Sequence, residues 1–480
     1  MPSLINATLW SSIQRFGGLT IGFISNMVLA RILNPEDYGI IALIMVFVGI
    51  ADHLVDGGLG NALIQKKDLN QKDISTVFTT NLLVSIVLFF VIFISAPAIA
   101  TFIKIEHFEL FLRVEAIIVL LKAFYVVHFS MTNRDMEFKK LAKINLSCSF
   151  ISTIIAITLA ATGCGVWSLI IRNISLDVFA LLFYYIVKRI PLSFAIYKES
   201  FKQLFSYGIF VAIANLAESL YANILSFILG KKFSVKELGY YNQAHSLEQI
   251  PVYSFSSVLN QVFFPFLSKE QGNLEKMRKD VLDSTRVMSF FMYPLMFYLI
   301  CFAEPIIVLL YSEKWLPAVP FFQILCVIGF VNFMYHLNRS ILKAIGKTKL
   351  LFILQIAVCV LGLTLITCAI RFGIYAVVIS SVLNSVLSAL IILYFTGMQI
   401  QLPIREQLGA VVFNLFVAAI VAIATYWLFS FVSWHDIVEL VLGFLLFVVL
   451  YLSLQYLLGG SSFKLVFAVI KSRINSKNIK

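Results

Sequence analysis

Charge is what this chain has least of. Only 13% of its 480 residues are Asp, Glu, Lys or Arg, where a soluble domain carries about a quarter. That leaves too little polar surface to cover a water-soluble body of this length. The six cysteines (Cys148, Cys164, Cys301, Cys326, Cys359 and Cys368) are scattered without metal-type spacing. They read as small packing hydrophobes, and no metal is expected. No phosphate-cradling glycine-rich loop precedes a Lys and a Ser or Thr. The segments between apolar runs are too short for a nucleotide-binding or catalytic domain, so neither catalytic residues nor a cofactor is expected, and the chain is not read as an enzyme. The first 14 residues hold no Lys or Arg, and no small-residue cleavage site follows, so a removable signal peptide is not expected. The strict alternation of a barrel strand is missing too.

What is present is apolar and continuous. Hydrophobic residues make up 60% of the chain, and Leu82–Pro97, Phe352–Ile370, Ile374–Met398 and Leu408–Ser433 contain no charge at all. A hydrocarbon core about 30 Å thick asks for runs of about 20 such residues, and a bilayer requires their backbone groups to be satisfied within a helix. The fold class expected is an all-α polytopic membrane protein of about 14 transmembrane helices. The spans fall near 7–32, 38–64, 74–101, 108–131, 142–164, 165–187, 204–230, 239–268, 282–312, 318–340, 350–371, 374–397, 405–432 and 435–458. The eighth carries His245, Glu248 and Gln249, and its alternative is an amphipathic surface helix. Asn34-Pro35-Glu36-Asp37 reads as a helix start, and Gly163-Cys164-Gly165 as a sharp turn.

Lys and Arg orient the bundle. With the N-terminus inside, the inner loops collect runs such as Arg134, Lys139, Lys140 and Lys143, then Lys269, Lys276, Arg278 and Lys279, and the tail adds Lys471, Arg473, Lys477 and Lys480. The outer loops hold only Lys104, Lys231, Lys232, Lys236, Lys314 and Arg371. Both termini, and the segment Lys269–Asp283, are therefore expected on the cytoplasmic side of a multi-pass membrane protein. The net charge of +12 is topology signal beside anionic lipid headgroups, and nucleic acid is not an expected partner.

Ionisable side chains inside spans cost at least ~2.5–3.5 kcal/mol each and mark candidate sites. Arg15 lies 19 residues before the turn at Asn34 and Asp52 lies 18 after it, so the two reach one depth at a common rise of ~1.5 Å per residue. Asp56, four residues beyond Asp52, shares its helix face. The arrangement reads either as part of a transport site or as a buried ion pair that fixes packing. The following Gly57-Gly58-Leu59-Gly60 weakens the helix, to bend it or to admit a close neighbour. Deeper charges follow at Lys122, Arg172, Asp177 and Glu218. Arg15, Lys122 and Arg172 are the expected walls of a solvated cationic cavity for an anionic substrate. Asp52, Asp56, Asp177 and Glu218 are the expected coupling or ion-pair carboxylates, with H+ or Na+ as the coupling ion.

An internal duplication is faintly visible. Arg15-Phe16-Gly17 is echoed by Ser206-Tyr207-Gly208, and Glu36-Asp37-Tyr38-Gly39 by Lys236-Glu237-Leu238-Gly239, six spans apart. An even separation predicts a parallel repeat about an axis along the membrane normal.

The string Val28-Leu29-Ala30-Arg31-Ile32-Leu33-Asn34-Pro35-Glu36-Asp37-Tyr38-Gly39 resembles the opening of the polysaccharide transport family. So does Asp52 through Ala62-Leu63-Ile64-Gln65-Lys66-Lys67, and so do Tyr311-Ser312-Glu313-Lys314-Trp315 and Gln323-Ile324-Leu325-Cys326. Within that family the chain looks like the Wzx-type, colanic-acid-exporter-like lipopolysaccharide and capsule exporters, of the multidrug/oligosaccharidyl-lipid/polysaccharide exporter superfamily. The resemblance implies a six-helix lobe over 1–190, a second over 200–400, two additional helices over 401–460, and a basic tail over 461–480. It implies alternating access and a substrate of undecaprenyl-diphosphate-linked oligosaccharide, moved from the cytoplasmic to the periplasmic leaflet. Membrane lipids and other polysaccharide assembly proteins are the further partners. Two other readings stay open: a cation-coupled multidrug and toxin extrusion antiporter, and a membrane glycan polymerase or ligase. Deep Lys122 and Arg172 disfavour the first, and the lack of a large loop disfavours the second.

Overall fold

The computed structural model describes residues 2–56, 58–66, 68–258, 274–431 and 436–468. Every regular element among them is helical, and nine of their helices are long and apolar enough to cross a membrane. The chain divides into two compact units, Met1–Asn242 and Gln243–Lys480.

The first unit opens with α1 (Pro2–Ile32) and α2 (Pro35–Asp56). The start of α2 forms as its residues dictate, with the Asn34 backbone N–H donating to Asp37 Oδ2 at 2.8 Å. The second expected span is broken, however: α2 stops at Asp56, Gly58 takes a left-handed φ of 71°, and a short α3 (Leu59–Gln65) follows. The break is fastened from a neighbour. Arg134 donates to the carbonyls of Leu63, Ile64 and Lys66, filling the empty acceptors at the end of α3. Lys66 in turn pairs with fully buried Asp73 at 2.8 Å and donates to Gln203 at 3.0 Å.

Next comes α4 (Gln71–Ile103), which begins with a reciprocal capping box between Asn70 and Asp73. The fourth expected span is also two pieces, α5 (Phe108–Glu115) and α6 (Ile117–Arg134), parted at Ala116. Then come α7 (Phe138–Ala161) and α8 (Val166–Val187), joined by a turn with Gly163 and Gly165 at φ 83° and 53°. In the interior α7 packs on α1 and α8, and α6 packs on α2, α4 and α8.

The connection 188–197 to α9 (Lys198–Lys232) is an ordered strap laid along α4. Ser193 donates to Ser75 at 2.7 Å, and Thr79 accepts from the Ala195 backbone N–H at 3.1 Å. Thr76 accepts from the Tyr197 N–H at 3.1 Å. Two of these hydroxyls, on Thr76 and Thr79, thus serve backbone that has no helix of its own, and Ser75 holds the Ser193 side chain.

The last helix to start in this unit is α10 (Val235–Val258), and its start repeats that of α2. Ser234 N–H donates to Glu237 Oε2 at 2.9 Å, and Glu237 N–H donates back to Ser234 Oγ at 3.1 Å. The two starts lie against each other reciprocally: a Cβ on Gly39 would collide with the carbonyl of Val235, and one on Gly239 with the carbonyl of Pro35.

The second unit continues with α11 (Leu274–Cys301), α12 (Ala303–Tyr311), α13 (Val319–Ala344), α14 (Thr348–Ala369), α15 (Ile374–Ile400), α16 (Ile404–Phe429) and α17 (Asp436–Leu457). Two expectations are corrected here. The ninth span, expected at 282–312, is split by Phe302, which leaves helical geometry between α11 and α12. The segment expected as a loop at Lys269–Asp283 is helical from Leu274 onward, and its earlier residues lie outside the described ones. In α10, Gln243 and Glu248 are buried, so its polar side turns into protein, as a surface helix would not.

Polar groups also hold the last helices. Fully buried Asn414 on α16 donates to Ser289 on α11 at 2.7 Å and to Ser462 at 2.9 Å, and accepts from Gln455 on α17 at 3.0 Å. Each such bond made in an apolar interior replaces an unsatisfied group costing several kcal/mol.

Candidate functional site

The helices α2, α6, α7 and α8 surround a cavity of about 380 Å³ inside the first unit, lined among others by Asp52, Lys122, Tyr125, Asn145, Cys148 and Tyr184. Helical spacing explains the lining. Lys122, Tyr125 and Phe129 follow at i, i+3 and i+7 on α6, and Asn145, Cys148 and Ser149 share a face of α7. On α8, Leu176, Ala180 and Tyr184 complete the lining, and Asn173 and Asp177 continue the stripe of Ala180 and Tyr184 beyond it.

These stripes meet in rungs. The Lys122 ammonium pairs with Asp52 Oδ2, with the two side chains 31% and 24% exposed, while Asp52 Oδ1 is buried and has no hydrogen-bond partner. One turn along α6, the Tyr125 hydroxyl donates to Asp177 Oδ1 at 2.6 Å. Tyr125 and Tyr184 stack at 5.6 Å and 6°, and Tyr184 OH donates to Asn145 Oδ1 at 3.3 Å. Toward the start of α8, Asn173 donates to Glu115 Oε1 at 2.7 Å, and Glu115 is fully buried beside the Ala116 break. Asp177 lies within electrostatic reach of both Lys122 and Asp52. Lys122 and Asp52 thus line the cavity, while Asp177, 7% exposed, lies outside its lining and is joined to it through Tyr125.

The expected site residues are partly brought together. Asp52 and Lys122 pair at the cavity, and Asp177, outside its lining, bonds to Tyr125. Arg15 is exposed on α1, and the cation paired with Asp52 is Lys122 rather than Arg15. Equal depth in a hairpin says nothing about which way each side chain points around its helix, and α6 offers the nearer ammonium. Arg172 is half-buried on α8, with Nε unpartnered. The side chains of Asp56, the last residue of α2, and of Glu218, within α9, lie outside the described residues. Sequence reasoning passed over Tyr125, Asn145, Asn173 and Tyr184. The signal was their helical spacing from Lys122 and Asp177, since uncharged polar groups at such positions can serve a charge in an apolar helix.

A partly open cavity that is mostly apolar but carries an ion pair, within a bundle of membrane helices, fits a polytopic membrane transporter. The solved structure of the lipid II flippase MurJ in an inward closed conformation shares the fold, with a TM-score of 0.72 at 18% identity, over 94% of this chain and 99% of that one. Residues 28–320 match the polysaccharide biosynthesis protein family, and the chain belongs to it. It is 26% identical over 359 residues to the teichuronic acid biosynthesis protein TuaB of Bacillus subtilis (strain 168), covering 73% of this chain and 74% of TuaB. It is 23% identical over 361 residues to the lipopolysaccharide biosynthesis protein WzxC of Escherichia coli (strain K12), covering 72% and 71%.

Proposed function

We propose that the protein is a flippase, not an enzyme, that carries undecaprenyl-diphosphate-linked oligosaccharide from the cytoplasmic to the periplasmic leaflet by alternating access. The observation that carries this reading is the conjunction of a polysaccharide biosynthesis family match with the fold of a lipid-linked-precursor flippase. Relatives named for teichuronic acid and lipopolysaccharide biosynthesis favour it over multidrug export.

The charge arrangement supports a division of labour. Asp52 offsets Lys122, so the positive charge left for a diphosphate rests on Arg15 and Arg172. Asp52 and Asp177 then serve coupling, because a proton or Na+ arriving at either carboxylate relieves a buried negative charge. The two repeats form six-helix lobes followed by two further helices, a reading supported by the matching starts of α2 and α10. The basic loops and both termini lie on the cytoplasmic side of the inner membrane.

The test is a leaflet assay. Proteoliposomes loaded with a lipid-linked repeat unit are probed by a membrane-impermeant glycan-modifying enzyme, with and without the protein. Unchanged exposure across candidate repeat units would remove the flippase reading. Impermeant thiol labelling of single cysteines in intact cells, placed at 135 and 189, tests orientation and should leave both unlabelled.

A further inference from the structure

Two side chains one turn apart on α6 hold carboxylates from two other helices. Lys122 projects from α6, Asp52 from α2 and Asp177 from α8. In the arrangement described, Asp52 takes the ammonium, and Asp177 has the Tyr125 hydroxyl instead, at 2.6 Å. Lys122 and Tyr125 sit three residues apart on one face of α6, so both candidate partners of Asp177 come from the same helix. A second arrangement, with the ammonium on Asp177, keeps the number of ion pairs the same. Lys122 has room to move, 31% exposed beside a cavity of about 380 Å³, and Tyr125, the present partner of Asp177, lines the same cavity. The helix that carries Asp52 ends four residues later, at the break marked by the left-handed Gly58, so that end of α2 is not held by a continuous helix.

We propose that Lys122 is a two-position switch, its ammonium moving from Asp52 to Asp177 as the unit changes shape, and Tyr125 holds Asp177 while it waits. This deepens the flippase reading, on which it rests only for the purpose of the switch. Removing the cation from a carboxylate inside the protein is costly, so Asp52 and Asp177 compete for the Lys122 ammonium. A packed interior answers such competition by adopting one of two discrete arrangements rather than a continuum between them. Whatever neutralises the vacated Asp52, a proton or a small cation from the cavity, decides which arrangement prevails. Asn145 and Tyr184 bond to each other across the cavity wall and stay outside the exchange.

Double-mutant cycles read this without any transport measurement. The melting temperature of the detergent-solubilised protein is measured for Lys122→Met, Asp52→Asn, Asp177→Asn and their pairwise combinations, in the native background and again with Tyr125→Phe. Native protein should show Lys122 coupled to Asp52, the cost of Lys122→Met falling by a few degrees once Asp52 is already Asn. With Tyr125→Phe, Asp177 loses its hydroxyl and the coupling should transfer, so that Asp177→Asn now reduces the cost of Lys122→Met. Coupling that stays with Asp52 alone in both backgrounds would make the pair a static strut and overturn the switch.

A second arm uses the reversed pair, Asp52→Lys with Lys122→Asp, assayed for flipping alongside the native protein. It should melt within a few degrees of native yet flip at least tenfold more slowly, because the carboxylate now on α6 is repelled by Asp177. Native-rate flipping by the reversed pair would overturn the proposal. Should no version flip any glycan, the flippase reading fails while the melting cycles still decide the switch.

Discussion

Gly39 faces the carbonyl of Val235, and Gly239 faces the carbonyl of Pro35, so two helix starts repeat each other in sequence, capping and contact. Backbone against backbone leaves no side chain that can yield. Gly39→Ala and Gly239→Ala should therefore each lower stability by about 1–3 kcal/mol, as overpacking does. Gly49→Ala, on the same helix as Gly39 but with open space around it, should be neutral or mildly stabilising. Melting of the purified variants checks this, and equal melting of all three would refute a close crossing.

Lys122→Met leaves Asp52 and Asp177 without a cation between them. The pair is neither at the surface nor fully buried, so the expected loss is about 1–3 kcal/mol, between the values for exposed and buried bridges. Flipping should fall by tenfold or more. A variant that folds, inserts and flips at the native rate would show that the cavity charges serve packing alone.

Arg134 serves three carbonyls at the end of α3 with one guanidinium. Arg134→Ala should cost about 1.5–3 kcal/mol locally and speed amide exchange across 59–66 while leaving α7 protected. Lysine is an imperfect replacement, since a single ammonium lacks the planar fork. Exchange in 59–66 unchanged from native would remove Arg134 as the clasp.

Outside the spans, Glu137 accepts from Lys140 at 2.6 Å and lies 3.5 Å from Lys188, which also pairs with Asp135. The Lys140 hydrogen bond, more than any other influence, holds the Glu137 carboxyl below its ordinary value of 4.5. A lowered pKa means the contribution is whole above pH 4.5 and fades as pH falls through the lower folded value. Native protein should thus lose melting temperature on acidification below pH 4.5 more than Glu137→Gln does. Parallel acid profiles for the two would show that the cluster adds nothing.

The long helices were legible because runs such as Ile374–Met398 carry no charge and have no soluble alternative. The α2–α3 break was legible at its glycines, and the Asn34 start at its cap. The break at Ala116 was not, because no glycine or proline stands there; at Phe302 the overlooked signal was Pro305, which lacks the N–H that would bond the Cys301 carbonyl and suits the first turn of α12. In the cavity, sequence gave the depth of Asp52 but not its direction around the helix. The choice between Arg15 and Lys122 depends on how α1, α2 and α6 are arranged, which no spacing within one hairpin encodes.

The strap along α4 has a mechanical consequence. Its three hydroxyl fastenings, on Ser75, Thr76 and Thr79, take up the slack a free linker would have, so the strap behaves as a rod and not as a rope. A displacement of α4 is then passed directly to the beginning of α9. The joint between α8 and α9 is a drive linkage, and its stiffness resides in side chains of the helix beneath it.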